Sequence, residues 1–152
     1  WKVAIERRNG PTVLALTRQN LPTLETSAAV EKGAYVIKDF GTPEIILMAS
    51  GSEVGLILEA AQKLAEEGKG VRVVSFPSWE LFEKQDDAYR ESVLPKNIQK
   101  RLAVEAGAGI GWERYAQSVI SIEHYGASAP AKIIFVLFVF TVENVVAKAK
   151  SI

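Results

Sequence analysis

An α/β fold with a parallel sheet is what this sequence predicts, and three observations in its middle third predict it. Ile45-Ile46-Leu47-Met48 is a short, unbroken apolar run, the mark of a strand buried on both faces. Ser50-Gly51-Ser52 then breaks the run, and Val54, Ile57, Leu58, Ala61, Leu64 and Ala65 recur at the spacing of a helix with one buried face. Val71-Arg72-Val73-Val74 follows as a second strand. A strand, a helical crossover and a strand form a right-handed unit, so these two strands should be parallel neighbours. Gly51 can adopt backbone angles closed to other residues, Ser52 suits a helix N-cap, and Gly68 falls where a C-cap glycine belongs.

The remaining elements follow in chain order. Trp1–Arg8 reads as a helix, and Asn9-Gly10-Pro11 as a turn. Thr12–Thr17 is a compact apolar stretch expected to be a strand. Leu21–Glu25 reads as a linker, since Pro22 lacks an N–H and no periodicity follows it. Thr26 or Ser27 should cap a short helix through Lys32. Ala34–Lys38 is a further strand candidate. Ser78 should cap a helix that carries Glu80 near its positive end. Trp79, Leu81 and Phe82 read as core, and residues 84–95 as a polar loop with a short helix stopped by Pro95. Arg101–Glu105 and Val119–Ile122 are the last strands. Ala131–Phe138 and Thr141–Lys150 are the last helices, the second capped by Thr141 and lined by Val142, Val145, Val146 and Ala149.

Composition narrows the function. At 152 residues the chain holds one domain, or one domain and a piece of another. Lys plus Arg and Asp plus Glu both number 18, so no net charge draws the chain to nucleic acid or to an anionic membrane. The longest apolar run, Ile133–Phe140, is too short to span a bilayer. Neither nucleic acid nor membrane is an expected partner. Cysteine is absent, which excludes disulfides and thiol catalysis and fits a cytoplasmic setting. With one histidine and no cysteine, a dedicated zinc site is not expected. The chain starts on Trp1 inside a helical pattern and is expected to be a fragment of a longer polypeptide.

Few residues suggest chemistry. Arg18 closes the Thr12–Thr17 stretch, and polar groups at the carboxyl end of a buried strand sit where α/β folds bind ligands. An arginine there can grip phosphate or carboxylate with two parallel hydrogen bonds, or simply pair with a nearby acid. Ser50, Gly51 and Ser52 open a helix and form a possible anion site, against the plainer reading of a capped turn. Gly107-Ala108-Gly109-Ile110-Gly111 follows a strand as in dinucleotide-binding turns. The next strand starts too soon for a crossover helix, so a tight loop and a short helix near Trp112–Ala116 are expected instead. Glu123-His124 invites an acid–base story, but a loop histidine without catalytic duty is the expectation. No Walker loop, HExxH, Cys/His pair or GxSxG is present.

Seven segments together resemble one family. They are GPTVLALTRQNLP (10–22), ASGSEV (49–54), VRVVSFPSWELFEKQ (71–85), YRESVLP (89–95), VEAG-x-x-x-GWERY (104–115), YGASAPA (125–131) and FTVENVV (140–146). In order and spacing they are similar to the C-terminal part of transketolases. The resemblance implies a parent enzyme that moves a two-carbon ketol unit between sugar phosphates. Such enzymes use thiamine diphosphate and a divalent metal, magnesium or calcium, in sites formed between the subunits of a homodimer. It further implies that residues 1–25 end the pyrimidine-binding domain and that residues 26–152 form the C-terminal domain. That domain would be a three-layer α/β/α fold with a mixed five-stranded sheet, in which 34–38 is the antiparallel edge. Arg18 matches the family arginine that binds substrate phosphate. No other catalytic, cofactor or metal position falls inside the chain, so the chain alone should be inactive and bind no cofactor. The alternative is a stand-alone interaction or regulatory domain without catalysis. Three residues depart from the family pattern, which has glycine where this chain has Ser118, Ser121 and Val139. A β-branched residue resists positive φ, so the turn between the last helices is expected to differ, or this stretch of the sequence to be unreliable.

Overall fold

A computed structural model describes residues 1–24 and 29–152. The expected cap at Thr26 or Ser27 lies outside the described residues. Five strands form one sheet in the order β1-β3-β2-β4-β5. They are β1 (Tyr35–Phe40), β2 (Ile45–Ala49), β3 (Val71–Ser75), β4 (Lys100–Val104) and β5 (Ser118–Ile120). β1 runs antiparallel to β3, and every other pairing is parallel. The parallel β2–β3 pair and the antiparallel edge strand therefore stand as expected. A bulge between Val36 and Lys38 interrupts the edge strand.

All five residues of β2 are buried, because helices cover both faces of the sheet. The side-chain alternation of period two divides the core. On one face, Ile45, Leu47, Val71, Val73, Leu102 and Val104 pack with Ile57, Ala61 and Leu64 of α2 (Glu53–Glu66). Val145, Val146 and Ala149 of α6 (Val142–Lys150) complete this aliphatic side. On the other face, Ile46, Met48, Val74 and Ala103 meet Phe76, Phe82, Trp112 and Tyr115. Phe76 stands edge-on to Phe82 and Trp112, with centroids 4.9 and 5.6 Å away. Each fully buried aliphatic side chain contributes about 1.5–3 kcal/mol of transfer free energy. α3 (Trp79–Phe82) and α4 (Asp87–Val93) cover the aromatic side.

Local signals set the element ends. Gly68, at φ +81°, follows α2 in the left-handed position expected of it. Ser78 accepts a hydrogen bond from the Leu81 amide at 3.3 Å, as its N-cap reading requires. Thr141 does the same for Asn144 at 3.2 Å. The first helix is shorter than expected, α1 being Lys2–Glu6 with no buried residue. A clear correction falls on residues 12–17. No strand forms there, and among the described residues the stretch pairs with no neighbour. Val13 is 89% exposed and Leu16 71%. The β-propensity is present, but it becomes a strand only when a sheet edge accepts it.

α5 (Ala131–Leu137) is unlike the other long helices in having no buried residue. It ends on Val139, whose φ is +64°. Phe140 N–H donates to Phe135 O at 2.7 Å and Val139 N–H to Val136 O at 3.1 Å, the paired bonds of a Schellman turn. The expectation that this turn would change is corrected: the left-handed turn is kept, and valine is forced into it.

Candidate functional site at the carboxyl ends of β2 and β4

From β2 the chain passes to β3 on one side, and later to β4 on the other. The carboxyl ends of β2 and β4 therefore flank the point where strand order reverses, which is where open α/β sheets place ligands. The pairing of Ala49 with Val104 sets the next residues, Ser50 and Glu105, side by side. Ser50 Oγ donates to Glu105 Oε2 at 3.3 Å. Ser52 Oγ donates to Glu53 Oε1 at 2.5 Å, and the Ala106 amide donates to Glu53 Oε2 at 3.3 Å.

Burial pushes the Glu53 carboxyl above its ordinary range. The Ser52 hydroxyl and the Ala106 amide pull it back, and the charge of Glu105 adds to the rise. Burial likewise raises Glu105, against hydrogen bonds from Ser50 and Trp112. Beside this pair, Ser50, Phe76–Glu80, Glu105 and Trp112 line a cleft of about 200 Å³. Gly111 is required behind the lining residue Trp79: its φ is +93°, and a Cβ there would lie 2.4 Å from the Trp79 ring.

The three residues of the possible anion site fall as follows. Gly51 takes φ +52°, the conformation its turn needs. Ser50 and Ser52 both spend their hydroxyls on carboxylates, so this helix start faces acids belonging to the chain itself. Ser52 is also corrected as a cap. It sits in helical geometry and caps no amide with its side chain, because Glu53 takes its hydroxyl. Arg18 is exposed and makes no ion pair among the described residues. Its neighbours Gln19 and Pro22 line a hollow with Ser52, Gly55, Leu56 and Phe140. The Arg18 segment and the Ser50–Ser52 turn thus approach the same end of α2.

His124 and Glu123 do not act together. Glu123 accepts from Ser121 Oγ and from the Gly109 amide at 2.9 Å, and these bonds hold its carboxyl below the usual range. His124 Nδ1 lies 2.7 Å from the Tyr125 carbonyl oxygen, and its ring stands edge-on to Phe138. The glycine-rich stretch 107–111 leads into a single 3₁₀ turn, Trp112–Arg114, with no crossover helix. Among the described residues, no group of three or more His, Asp or Glu is placed to hold a metal ion. No helix among them is long and apolar enough to cross a membrane.

Sequence reasoning missed the Glu53–Glu105 pair. One signal was available, since Glu53 stands in phase with Ile57, Ala60, Ala61 and Leu64, a charge on the buried face of its helix.

Residues 33–141 match the family described as "Transketolase-like TK C-terminal domain". The chain belongs to that family. Over its whole length it is 50% identical to transketolase 2 of Escherichia coli and 51% identical to a transketolase of Nostoc, in each case spanning 24% of the relative. Among solved structures, 99% of the chain superposes on 22% of a Leishmania mexicana transketolase with a TM-score of 0.93 and 41% identity. A Pichia stipitis transketolase in complex with sedoheptulose-7-phosphate matches with a TM-score of 0.92 at 41% identity, over the same shares of the two chains. The mixed five-stranded sheet between helical layers is thus the fold of this family's C-terminal domain. The chain spans about a quarter of the length of the curated relatives it matches.

Proposed function

We propose that this chain is the C-terminal portion of a thiamine-diphosphate-dependent transketolase, which transfers a two-carbon ketol unit between sugar phosphates. One observation carries the reading: identity near 50% covers the whole chain, including residues 1–32 ahead of the domain match. On this reading residues 1–25 close the pyrimidine-binding domain, and residues 26–152 are the C-terminal domain. The exposed apolar stretch 12–17 supports that division, because such a stretch gains most by joining a sheet supplied by other residues. Arg18 at its tip is then the phosphate grip, a planar guanidinium presenting two parallel donors. When bound, thiamine diphosphate would supply the carbanion chemistry. Among the described residues no group of three or more His, Asp or Glu is placed to hold its metal, and the proposal assigns this chain no step beyond holding substrate phosphate. The parent enzyme is proposed to be a cytoplasmic homodimer, and the chain alone to be inactive.

The competing reading is a stand-alone interaction domain. It draws on the sheet having two complete cores of its own. Ketol transfer separates the two readings. The chain with thiamine diphosphate and magnesium should give none. Adding the upstream domains of a related transketolase should restore it. Arg18→Ala should then raise KM for phosphorylated sugars and leave unphosphorylated ones unchanged. Activity of the chain alone overturns the proposal, and no activity after complementation favours the interaction domain.

A further inference from the structure

One turn marked by the sequence, Asn9-Gly10-Pro11, takes no part in the function proposed above. It joins α1 to the apolar stretch 12–17, and both Asn9 and Gly10 are exposed. An asparagine before a glycine is a reactive pair, because the glycine nitrogen reaches the side-chain carbonyl carbon with no Cβ in the way. The chain has four asparagines, and the residues after them are Gly10, Leu21, Ile98 and Val145. Three of the four nitrogens are thus shielded by a bulky side chain. Two of those are also engaged, since Ile98 N–H donates to Pro95 O and Val145 N–H to Thr141 O, each at 3.0 Å. Among the described residues the Gly10 N–H donates to no backbone carbonyl. The Arg7 guanidinium lies against this glycine, with Nη2 3.1 Å from where a Cβ on Gly10 would stand.

We propose that Asn9-Gly10 is a self-modifying site, at which the chain converts Asn9 to aspartate and isoaspartate with loss of ammonia. The Gly10 nitrogen, having given its proton to hydroxide, attacks Cγ of Asn9. A C–N bond forms, the Cγ–Nδ2 bond breaks, and the departing nitrogen takes a proton from water and leaves as ammonia. The hydroxide is thereby returned, and the product is a cyclic succinimide. Water then opens the ring at either carbonyl. Opening at Cγ gives aspartate. Opening at the main-chain carbonyl gives isoaspartate, in which the chain runs through Cγ. Nothing is oxidised or reduced, so water is the one co-reactant. Negative charge builds on the attacking nitrogen and on Oδ1 of Asn9, and the Arg7 cation beside Gly10 stabilises it. Either product sets a carboxylate just after Arg7 and Arg8 and takes the net charge of the chain from zero to minus one. Isoaspartate also adds one carbon to the backbone between α1 and Arg18, which shifts Arg18 relative to that helix.

The test is to hold the full chain in warm, mildly alkaline buffer for days and then cleave it after Glu6 in mild acid, where the reaction stops. Mass spectrometry of the released peptide follows Asn9, with Asn20 in the same peptide as the internal control. Conversion is expected at Asn9 alone, and its rate should rise with hydroxide concentration. Enzymatic methylation of the freed main-chain carboxyl reads the isoaspartate share. Asn9→Gln should abolish the reaction. Gly10→Val should slow it by roughly tenfold or more, about 1.4 kcal/mol of added barrier. Arg7→Gln should slow it roughly fivefold, the effect of removing one nearby unit charge in water, with the thermal unfolding curve unchanged. An Asn9 that stays intact while a synthetic peptide of the same residues converts overturns the inference. So does equal conversion at Asn20. An unchanged rate in Arg7→Gln overturns the part given to Arg7.

Discussion

α5 and α6 are neighbours in the chain and opposites in construction. α6 has Thr141 accepting from the Asn144 amide at one end, and Lys148 and Lys150 at the other. Glu143 in its first turn pairs with Lys63 at 2.8 Å, and Lys150 pairs with Glu67, which ties both ends to α2. Its buried side is Val145, Val146 and Ala149. α5 starts after Pro130 with no side-chain cap, has no acid in its first turn and no base in its last, and buries nothing fully. The difference separates two ways of making a helix. α6 is specified by its own termini and by one apolar face. α5 is held by the few side chains, Ile134, Phe135 and Phe138, that line a hollow beside it and by the turn that follows it.

That contrast can be broken at graded points. The largest effect belongs to Phe140, which is 4% exposed between the two helices and stands edge-on to Phe135. Phe140→Ala should cost about 3–5 kcal/mol in urea unfolding. A loss below about 1 kcal/mol would show that the link does not anchor either helix. Val139→Gly comes next. A β-branched residue in the left-handed region is strained by about 1–2 kcal/mol, and glycine relieves it while adding some entropy to the unfolded chain. A net gain near 1 kcal/mol is expected, read as a rise in melting temperature, and no gain would mean that the Asn144 Nδ2 bond to Val139 O, at 2.9 Å, already absorbs the strain. Thr141→Ala removes the α6 cap and should lose about 1 kcal/mol, with faster amide exchange confined to the first turn of α6. The smallest change is Ile133→Ala on the outer side of α5, within about 0.5 kcal/mol at concentrations where the chain is monomeric. A larger loss there would show that Ile133 is packed after all.

Most of the sheet was legible because each strand announces itself locally. Ile45–Met48 is buried on both faces, and Val71–Val74 is buried except at Arg72, so neither carries the regular polar alternation of a surface strand. The caps at Ser78 and Thr141 were legible for the same reason, since each depends on an amide three residues away. Ser52 misleads because a competing acceptor, the buried carboxylate of Glu53, is adjacent to it. The stretch 12–17 misled because propensity is half of a strand and the other half is a partner. The Glu53–Glu105 pair was out of reach by local rules, as the register of β2 against β4 brings residues 50 and 105 together. Position makes Arg18 a candidate for gripping phosphate or carboxylate, and resemblance narrows the role to substrate phosphate. Its exposed position neither supplies a partner nor removes one.

The edge position of β1 has a consequence for synthesis. β1 leaves the ribosome before β2 and β3, yet the strand it pairs with is β3. It must wait until β2, α2 and β3 have been made before its partner exists. The strand made first thus pairs no sooner than the third, and until then the segment ahead of it remains tethered to an unfinished sheet.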